Sequence, residues 1–241
     1  MRDLLPLSAL ASPEAVIVVG VIPAAGYATR LQPLPCSKEM VSVGGKPVMD
    51  YLIDRMRAGP CTELRVVTRA DKQDVISHAR RRGATVVLGR PKSVSESLLA
   101  GMAGLAADDI VLFGFPDTIW EPEDGYARLV ARVLEGHDLA LGIFESGEPE
   151  RSDVVVLSGS DRIARVDVKP VAPSSSWVWG CGAARVRALT GLADYDEPGH
   201  YFHVLCRDRG VVGVRLAHIV DIGTPEALQR YKRSRRMSGR R

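Results

Sequence analysis

The chain has 241 residues, 46% of them hydrophobic and 25% charged. That is an ordinary globular composition, long enough to bury a substantial core without disulfides, so intrinsic disorder is excluded. The net charge is only +3, much of the excess lies in the last turns (RYKRSRRMSGRR, 230–241), and aromatic residues make up 5%. A near-neutral body with few aromatics argues against nucleic acid as a partner, and the basic tail reads as a solvated helix end.

The first fifteen residues (MRDLLPLSALASPEA) carry a brief apolar run broken by Pro6 and an acid at Asp3. They read as a leader rather than a signal peptide. No stretch is long enough to span a bilayer, so no membrane partner is expected. Cys36, Cys61, Cys181 and Cys206 are scattered without C-x-x-C spacing, and a cytoplasmic location is the expectation. His200 and His203 form an H-x-x-H pair with no third ligand nearby, and read as surface or core polarity.

From residue 16 the chain alternates. VIVVGVI (16–22) is a β-branched run of the kind a strand buried on both faces requires. Helical spacing follows over 47–58, then a strand at 64–68, a helix at 71–82, a strand at 84–88 and a helix at 95–105. A strand at 110–115, a helix at 123–135 and a strand at 138–144 complete the series. The β-α-β-α-β rhythm predicts an α/β fold with a doubly wound, mostly parallel, mixed sheet and helices on both faces. From about residue 145 short strands at 153–157, 162–168 and 176–180 are separated by Gly, Ser and Pro turns, which predicts a small β-rich insertion. A helix at 183–190, a strand at 211–216 and a helix from Thr224, with Pro225 at its first position, close the chain. A single domain is expected: leader 1–15, nucleotide-binding core 16–144, β-rich acceptor-binding part 145–220, and C-terminal helix with basic tail 221–241.

The segment after the first strand, PAAGYATRLQPLPCSKEM (23–40), is the most informative. Ala24, Ala25, Gly26 and Ala28 let backbone amides approach a ligand closely, at the sheet edge where α/β proteins bind nucleotides. Arg30 and Lys38 add positive charge, a combination suited to a triphosphate. There is no G-x-x-x-x-G-K-[ST] and no G-x-G-x-x-G followed by an acidic strand end, so neither a P-loop nor a dinucleotide-dependent oxidoreductase is indicated.

This segment resembles the G-x-G-T-R-L-x-P-x-T-x-x-x-P-K motif of the sugar-1-phosphate nucleotidyltransferases (the glucose-1-phosphate thymidylyl- and uridylyltransferases) through Gly26, Thr29, Arg30, Leu31 and Pro33. Ala28 stands in place of a glycine. Further resemblances are FGFPDT (113–118), VKP (168–170) and DIGTPE (221–226), in the family's order and at about its distances. The resemblance implies a Rossmann-like nucleotidyltransferase fold and a Mg²⁺-dependent enzyme. That enzyme condenses an NTP, with dTTP or UTP favoured, with a sugar 1-phosphate and releases pyrophosphate. Its partners would be these small molecules, and homo-oligomers are common in the family.

The roles it implies are specific. Arg30 braces the triphosphate and leaving pyrophosphate, and Lys38 the α-phosphate. Asp117 and Asp221 hold the metal, and Lys169 grips the acceptor phosphate. Ala24, Ala25 and Gly26 meet the nucleobase and ribose through their backbone, with Ser95 in the base-reading stretch. Trp179 and Gly182, within WVWGCG (177–182), fall where the sugar pocket lies.

The sequence also departs from the family pattern. Pro33 to Lys38 is two residues short, as in cytidylyltransferases and molybdenum-cofactor nucleotidyltransferases. LGRPKSVSESLLAGM lacks the base-reading glutamine, and Val168 replaces the glutamate that precedes the Lys-Pro pair. Two further readings stay open: a cytidylyltransferase acting on a non-sugar phosphate or phosphonate, and a non-catalytic nucleotide-sugar-binding regulator.

Overall fold

The computed structural model describes residues 16–27, 34–208 and 210–238. The leader 1–15, the stretch 28–33 with Ala28, Thr29, Arg30, Leu31 and Pro33, and the last three residues of the basic tail lie outside the described residues.

In chain order the elements are β1 (Val18–Pro23), β2 (Ser42–Val43), β3 (Lys46–Pro47), α1 (Met49–Ala58), β4 (Glu63–Thr68), α2 (Gln73–Arg81), β5 (Thr85–Leu88) and α3 (Val94–Met102). There follow β6 (Ile110–Gly114), β7 (Thr118–Glu121), α4 (Gly125–Leu134), β8 (Leu139–Glu145), β9 (Val154–Ser158), β10 (Arg162–Asp167) and β11 (Trp177–Arg185). The chain closes with α5 (Val186–Leu189), α6 (Pro198–Asp208), β12 (Val211–Arg215), β13 (Ala217–Asp221) and α7 (Pro225–Ser238).

Nine strands form one sheet in the order β5-β4-β1-β6-β11-β8-β12-β10-β9. β5, β4, β1 and β6 are parallel to one another, β11 runs antiparallel between β6 and β8, and β12 is parallel to β8. The β-rich stretch continues this sheet, because β9 and β10 pair with each other and β10 pairs with β12.

Strand periodicity divides the core cleanly. Val18 and Ile22 of β1 face one side with Leu52, Met56, Tyr126 and Leu129 of α1 and α4. Val19 and Val21 face the other with Leu98 of α3 and Phe202 of α6. Both faces are covered by helices, which is why β1 reads as a continuous apolar run.

The helix starts are locally encoded. Ser93 caps α3, its hydroxyl accepting from the Glu96 amide at 3.0 Å, and the Glu96 carboxylate reaches back to the Lys92 amide, one residue before the cap, at 2.7 Å. Thr224 likewise caps α7, its hydroxyl accepting from Ala227 N at 3.2 Å.

α3 lies so close to the sheet that a Cβ at Gly101 would sit 2.3 Å from Val21 Cγ1. Alanine there gains about 1 kcal/mol of helix propensity but overpacks a filled core at a cost of about 1–3 kcal/mol. Gly101→Ala is therefore expected to lower the urea midpoint of unfolding, and an unchanged or raised midpoint would contradict this packing.

Several elements differ from the sequence-based expectation. The helix expected at 183–190 begins only at Val186, because Ala183 and Ala184 are still paired with β6 and β8. Small apolar residues there fill a central strand that the local sequence does not mark. The helix α6 around His200 and His203 was not anticipated, and neither was the β7–β13 ribbon. In α6, His203 Nδ1 lies 2.8 Å from the Val166 carbonyl, so the H-x-x-H pair is in part a helix-to-sheet contact.

Candidate active site

The C-terminal edge of β1 opens into the loop Ala24–Tyr27. The Ala24 amide donates to Val67 O at 2.8 Å, and its carbonyl accepts from Thr68 Oγ1 at 3.1 Å. Lys72, just before α2, spends all three ammonium donors here: on Ala24 O at 2.8 Å, Gly26 O at 3.0 Å and Glu39 Oε2 at 2.7 Å. With its carbonyls turned to Lys72, the loop leaves the amides of Ala25 and Gly26 without an acceptor among the described residues. Free amides in a short loop at a parallel sheet edge suit anionic and polar ligand atoms.

Glu39 is fully buried on the short turn Lys38–Met40, directly after Lys38. Burial pushes its carboxyl above the usual glutamate range, although Lys72 pulls the other way. The Lys72–Glu39 pair thus ties the loop to the turn that carries Lys38. Lys72→Met leaves Glu39 buried without its cation, which is expected to cost about 3–5 kcal/mol of stability. It is also expected to raise the KM for nucleotide on the order of tenfold to a hundredfold by loosening the loop. Steady-state kinetics at a temperature where the variant stays folded check this, and an unchanged nucleotide KM would contradict it.

The second part of the site forms where β6 ends. Phe115 and Pro116 lead to Asp117, and the chain turns into β7. β13 returns antiparallel to β7 with Asp221 opposite Thr118, and Ile222 N donates to Asp117 O at 3.0 Å. Asp117 and Asp221, 104 residues apart in sequence, are therefore side by side. The Gly223 amide donates to Asp221 Oδ1 at 2.6 Å. A Cβ on Gly223 would lie 2.8 Å from Asp221 Oδ1 and 3.3 Å from Asp117 Oδ2, so the two carboxylates converge on one glycine.

Lys38 Nζ reaches Asp117 Oδ2 at 2.8 Å. Burial draws the Lys38 ammonium downward, but Asp117, helped by Glu39 and Asp221, outweighs it and holds the pKa above the usual lysine value. Two carboxylates converging on Gly223, with an ammonium already against one of them, form a site for positive charge, so the donor set fits a divalent ion. Among the described residues no group of three or more His, Cys, Asp or Glu side chains forms a metal cluster. Two carboxylates completed by phosphate oxygens and water are the habit of magnesium rather than of zinc.

A third cluster lies near the end of β10. Lys169 adopts φ +40° and places Nζ 2.7 and 2.6 Å from the two Glu197 carboxylate oxygens. Trp179 is buried among Phe113, Phe115 and Phe202, and its Nε1 donates to Asp153 Oδ2 at 3.2 Å. Gly182 is packed beneath Phe113, whose Cζ would lie 2.3 Å from a Cβ there, so any larger residue would clash with that ring. Ser95 is buried in the first turn of α3, its amide 3.4 Å from Asp196 O. Its hydroxyl has no partner among the described residues. Pro23, Val94, Leu98, Phe113, Phe115 and Trp179 line a shallow apolar dimple between the end of β1 and the tryptophan, with no interior room for a water molecule.

Lys38, Asp117 and Asp221 thus come together beside the Ala24–Gly26 loop, while Lys169 and Trp179 belong to a neighbouring cluster. Lys72, Glu39, Asp153 and Glu197 were not singled out from sequence. No local motif marks them, since each gains its meaning only from a distant partner.

The model of the MobA-like NTP transferase domain matches residues 20–209, well over half of the chain. The chain belongs to this family. The NTP transferase domain is also 24% identical over 189 residues to a glucose-1-phosphate thymidylyltransferase from Neisseria meningitidis, covering 74% of this chain and 61% of the relative. Across the curated relatives it matches, the chain spans from 40% to 61% of their length.

Among solved structures, a UDP-glucose pyrophosphorylase complexed with UDP-glucose superposes with a TM-score of 0.77 at 16% identity, covering 92% of this chain and 100% of that one. A Bacillus anthracis protein described as a candidate glucose-1-phosphate thymidylyltransferase, solved with sucrose, gives 0.80 at 17% identity over 91% and 95% of the two chains. These likenesses establish the Rossmann-like nucleotidyltransferase fold of the NTP transferase domain. No helix among its described residues is long and apolar enough to cross a membrane.

Proposed function

We propose that this NTP transferase domain condenses a nucleoside triphosphate with a sugar 1-phosphate, releasing pyrophosphate and leaving an NDP-sugar. The observation that carries this reading is the convergence of Lys38, Asp117 and Asp221 beside the Ala24–Gly26 loop at the C-terminal edge of β1. A sugar 1-phosphate as the acceptor draws on the names of the relatives above.

The acceptor's phosphate oxygen attacks the α-phosphorus, and pyrophosphate departs as the new phosphoanhydride bond forms. The nucleophile is already ionised near neutral pH, because a phosphate monoester has a second pKa of about 6. No general base is required of the protein, which must hold two anions together and offset charge as it develops.

In this reading the amides of Ala25 and Gly26, with Ala24, hold the nucleoside, and Ser95 lies on the base side. Arg30 braces the β- and γ-phosphates. Lys38 leaves Asp117 for the α-phosphate. Lys169 exchanges Glu197 for the acceptor phosphate, with Trp179 beside the sugar. Asp117 and Asp221 would hold Mg²⁺, which would supply charge neutralisation for the triphosphate. The reaction belongs in the cytoplasm, where nucleoside triphosphates are available.

Product analysis by ³¹P nuclear magnetic resonance tests the proposal. Paired diphosphate resonances of an NDP-sugar, with free pyrophosphate, are expected after incubation with one NTP, one sugar 1-phosphate and Mg²⁺. Hydrolysis to NMP and pyrophosphate without such a product would contradict it.

A further inference from the structure

Asp153, immediately before β9, is held from two directions by β11. Its carbonyl accepts from Trp179 N at 3.3 Å, and its Oδ2 from Trp179 Nε1 at 3.2 Å. The other carboxylate oxygen, Oδ1, is buried and receives no hydrogen bond from any described residue. An unsatisfied buried acceptor on a charged group is costly, and native structures hold few of them. Nothing in the bonding among the described residues uses this oxygen.

Its surroundings say what kind of group it awaits. Burial pushes the Asp153 carboxyl up, and Lys169, Glu197, Trp179 and His200 all act on it. Lys169 and Glu197, both within electrostatic range of the Asp153 carboxylate, form an ion pair whose side chains are 54% and 43% exposed, so each can exchange its partner for a ligand without disturbing the core. The carboxylate is fixed by the Trp179 indole and packs against Gly199 at the start of α6, and Trp179 is locked among Phe113, Phe115 and Phe202. A fixed acceptor oxygen next to a movable cation suits a ligand with an anionic end for Lys169 and a hydrogen-bond donor a short reach away.

Resting on the function proposed above, we propose that Asp153 is a specificity-determining residue. Its Oδ1 accepts a hydrogen bond from a ring hydroxyl of the sugar phosphate whose phosphate Lys169 holds. The chemistry selects a donor: a neutral polyol satisfies the oxygen, whereas an acceptor carrying a carboxylate at that position is repelled. A phosphorylated choline offers no hydrogen-bond donor to it.

The test is a set of kcat/KM values for sugar 1-phosphates and their singly deoxygenated analogues, with phosphocholine included, on the native protein, Asp153→Ala and Asp153→Asn. The native protein is expected to favour the parent sugar over one deoxy analogue by about 10- to 100-fold, the worth of a hydrogen bond to a charged group. Asp153→Ala should erase that preference by lowering only the parent, with the nucleotide KM unchanged. Asp153→Asn keeps an oxygen for Trp179 and covers the case in which the alanine variant does not fold. It should lose part of the preference. Native activity with equal losses for parent and every analogue would overturn the role of Asp153 and leave the transferase reading intact. No native turnover with any sugar 1-phosphate, or turnover with phosphocholine alone, would overturn both.

Discussion

Asp117→Asn is expected to lower kcat about 100- to 1000-fold while the protein keeps its fold. Asparagine is nearly isosteric, and the contact that docks this turn to β13 runs through the Asp117 carbonyl, not its side chain. On the proposed reading, what is lost is one of two anionic donors for the metal, along with the carboxylate that Lys38 meets at 2.8 Å. A metal's stabilisation of developing charge is worth several kcal/mol, and each 1.36 kcal/mol is tenfold in rate. Pyrophosphate release as a function of Mg²⁺ should show both a lower plateau and a weaker apparent metal affinity, with circular dichroism unchanged. Near-native rates at saturating Mg²⁺ would mean that Asp117 does not serve the metal.

Lys38→Met is expected to reduce turnover comparably, by about 100- to 1000-fold, the cost of removing one preorganised charge-stabilising donor. It should move metal binding in the opposite direction. In the native protein the ammonium occupies Asp117 Oδ2, so a cation must compete with it. Without the ammonium both carboxylates are open, and Mg²⁺ or Mn²⁺ titrated calorimetrically should bind severalfold more tightly. The pair of variants therefore separates two ways of losing activity: Asp117→Asn weakens the metal, and Lys38→Met strengthens it. Weaker metal binding in Lys38→Met would contradict the picture of a lysine and a metal sharing one carboxylate.

Much of the architecture was legible because it is written in short-range pattern. The β-branched run of β1 requires burial on both faces, and α3 and α7 start where Ser93 and Thr224 supply caps. The small-residue loop after β1 was legible for the same reason. Asp117 and Asp221 could be singled out only through motif resemblance, since the ribbon that places Asp221 opposite Thr118 is two short strands with no strong periodicity.

The remainder depends on distant partners. Lys72 meets Glu39 across 33 residues, Trp179 meets Asp153 across 26, and Lys169 meets Glu197 across 28. A lone lysine or aspartate in the sequence reads as solvated surface, and only the folded chain shows which of them are buried and bonded. The strand continuing through Ala183 and Ala184 was hidden in the same way, because alanines flanked by helix-compatible residues become strand only where two neighbours claim their backbone.

The most direct test of the central claim is pyrophosphate release in Mg²⁺ from each of the four NTPs and dTTP, paired against a panel of sugar 1-phosphates. Release that needs one NTP together with one sugar 1-phosphate, and that stops when Mg²⁺ is chelated, is the predicted result. Tight nucleotide binding with no pyrophosphate from any pairing would contradict it.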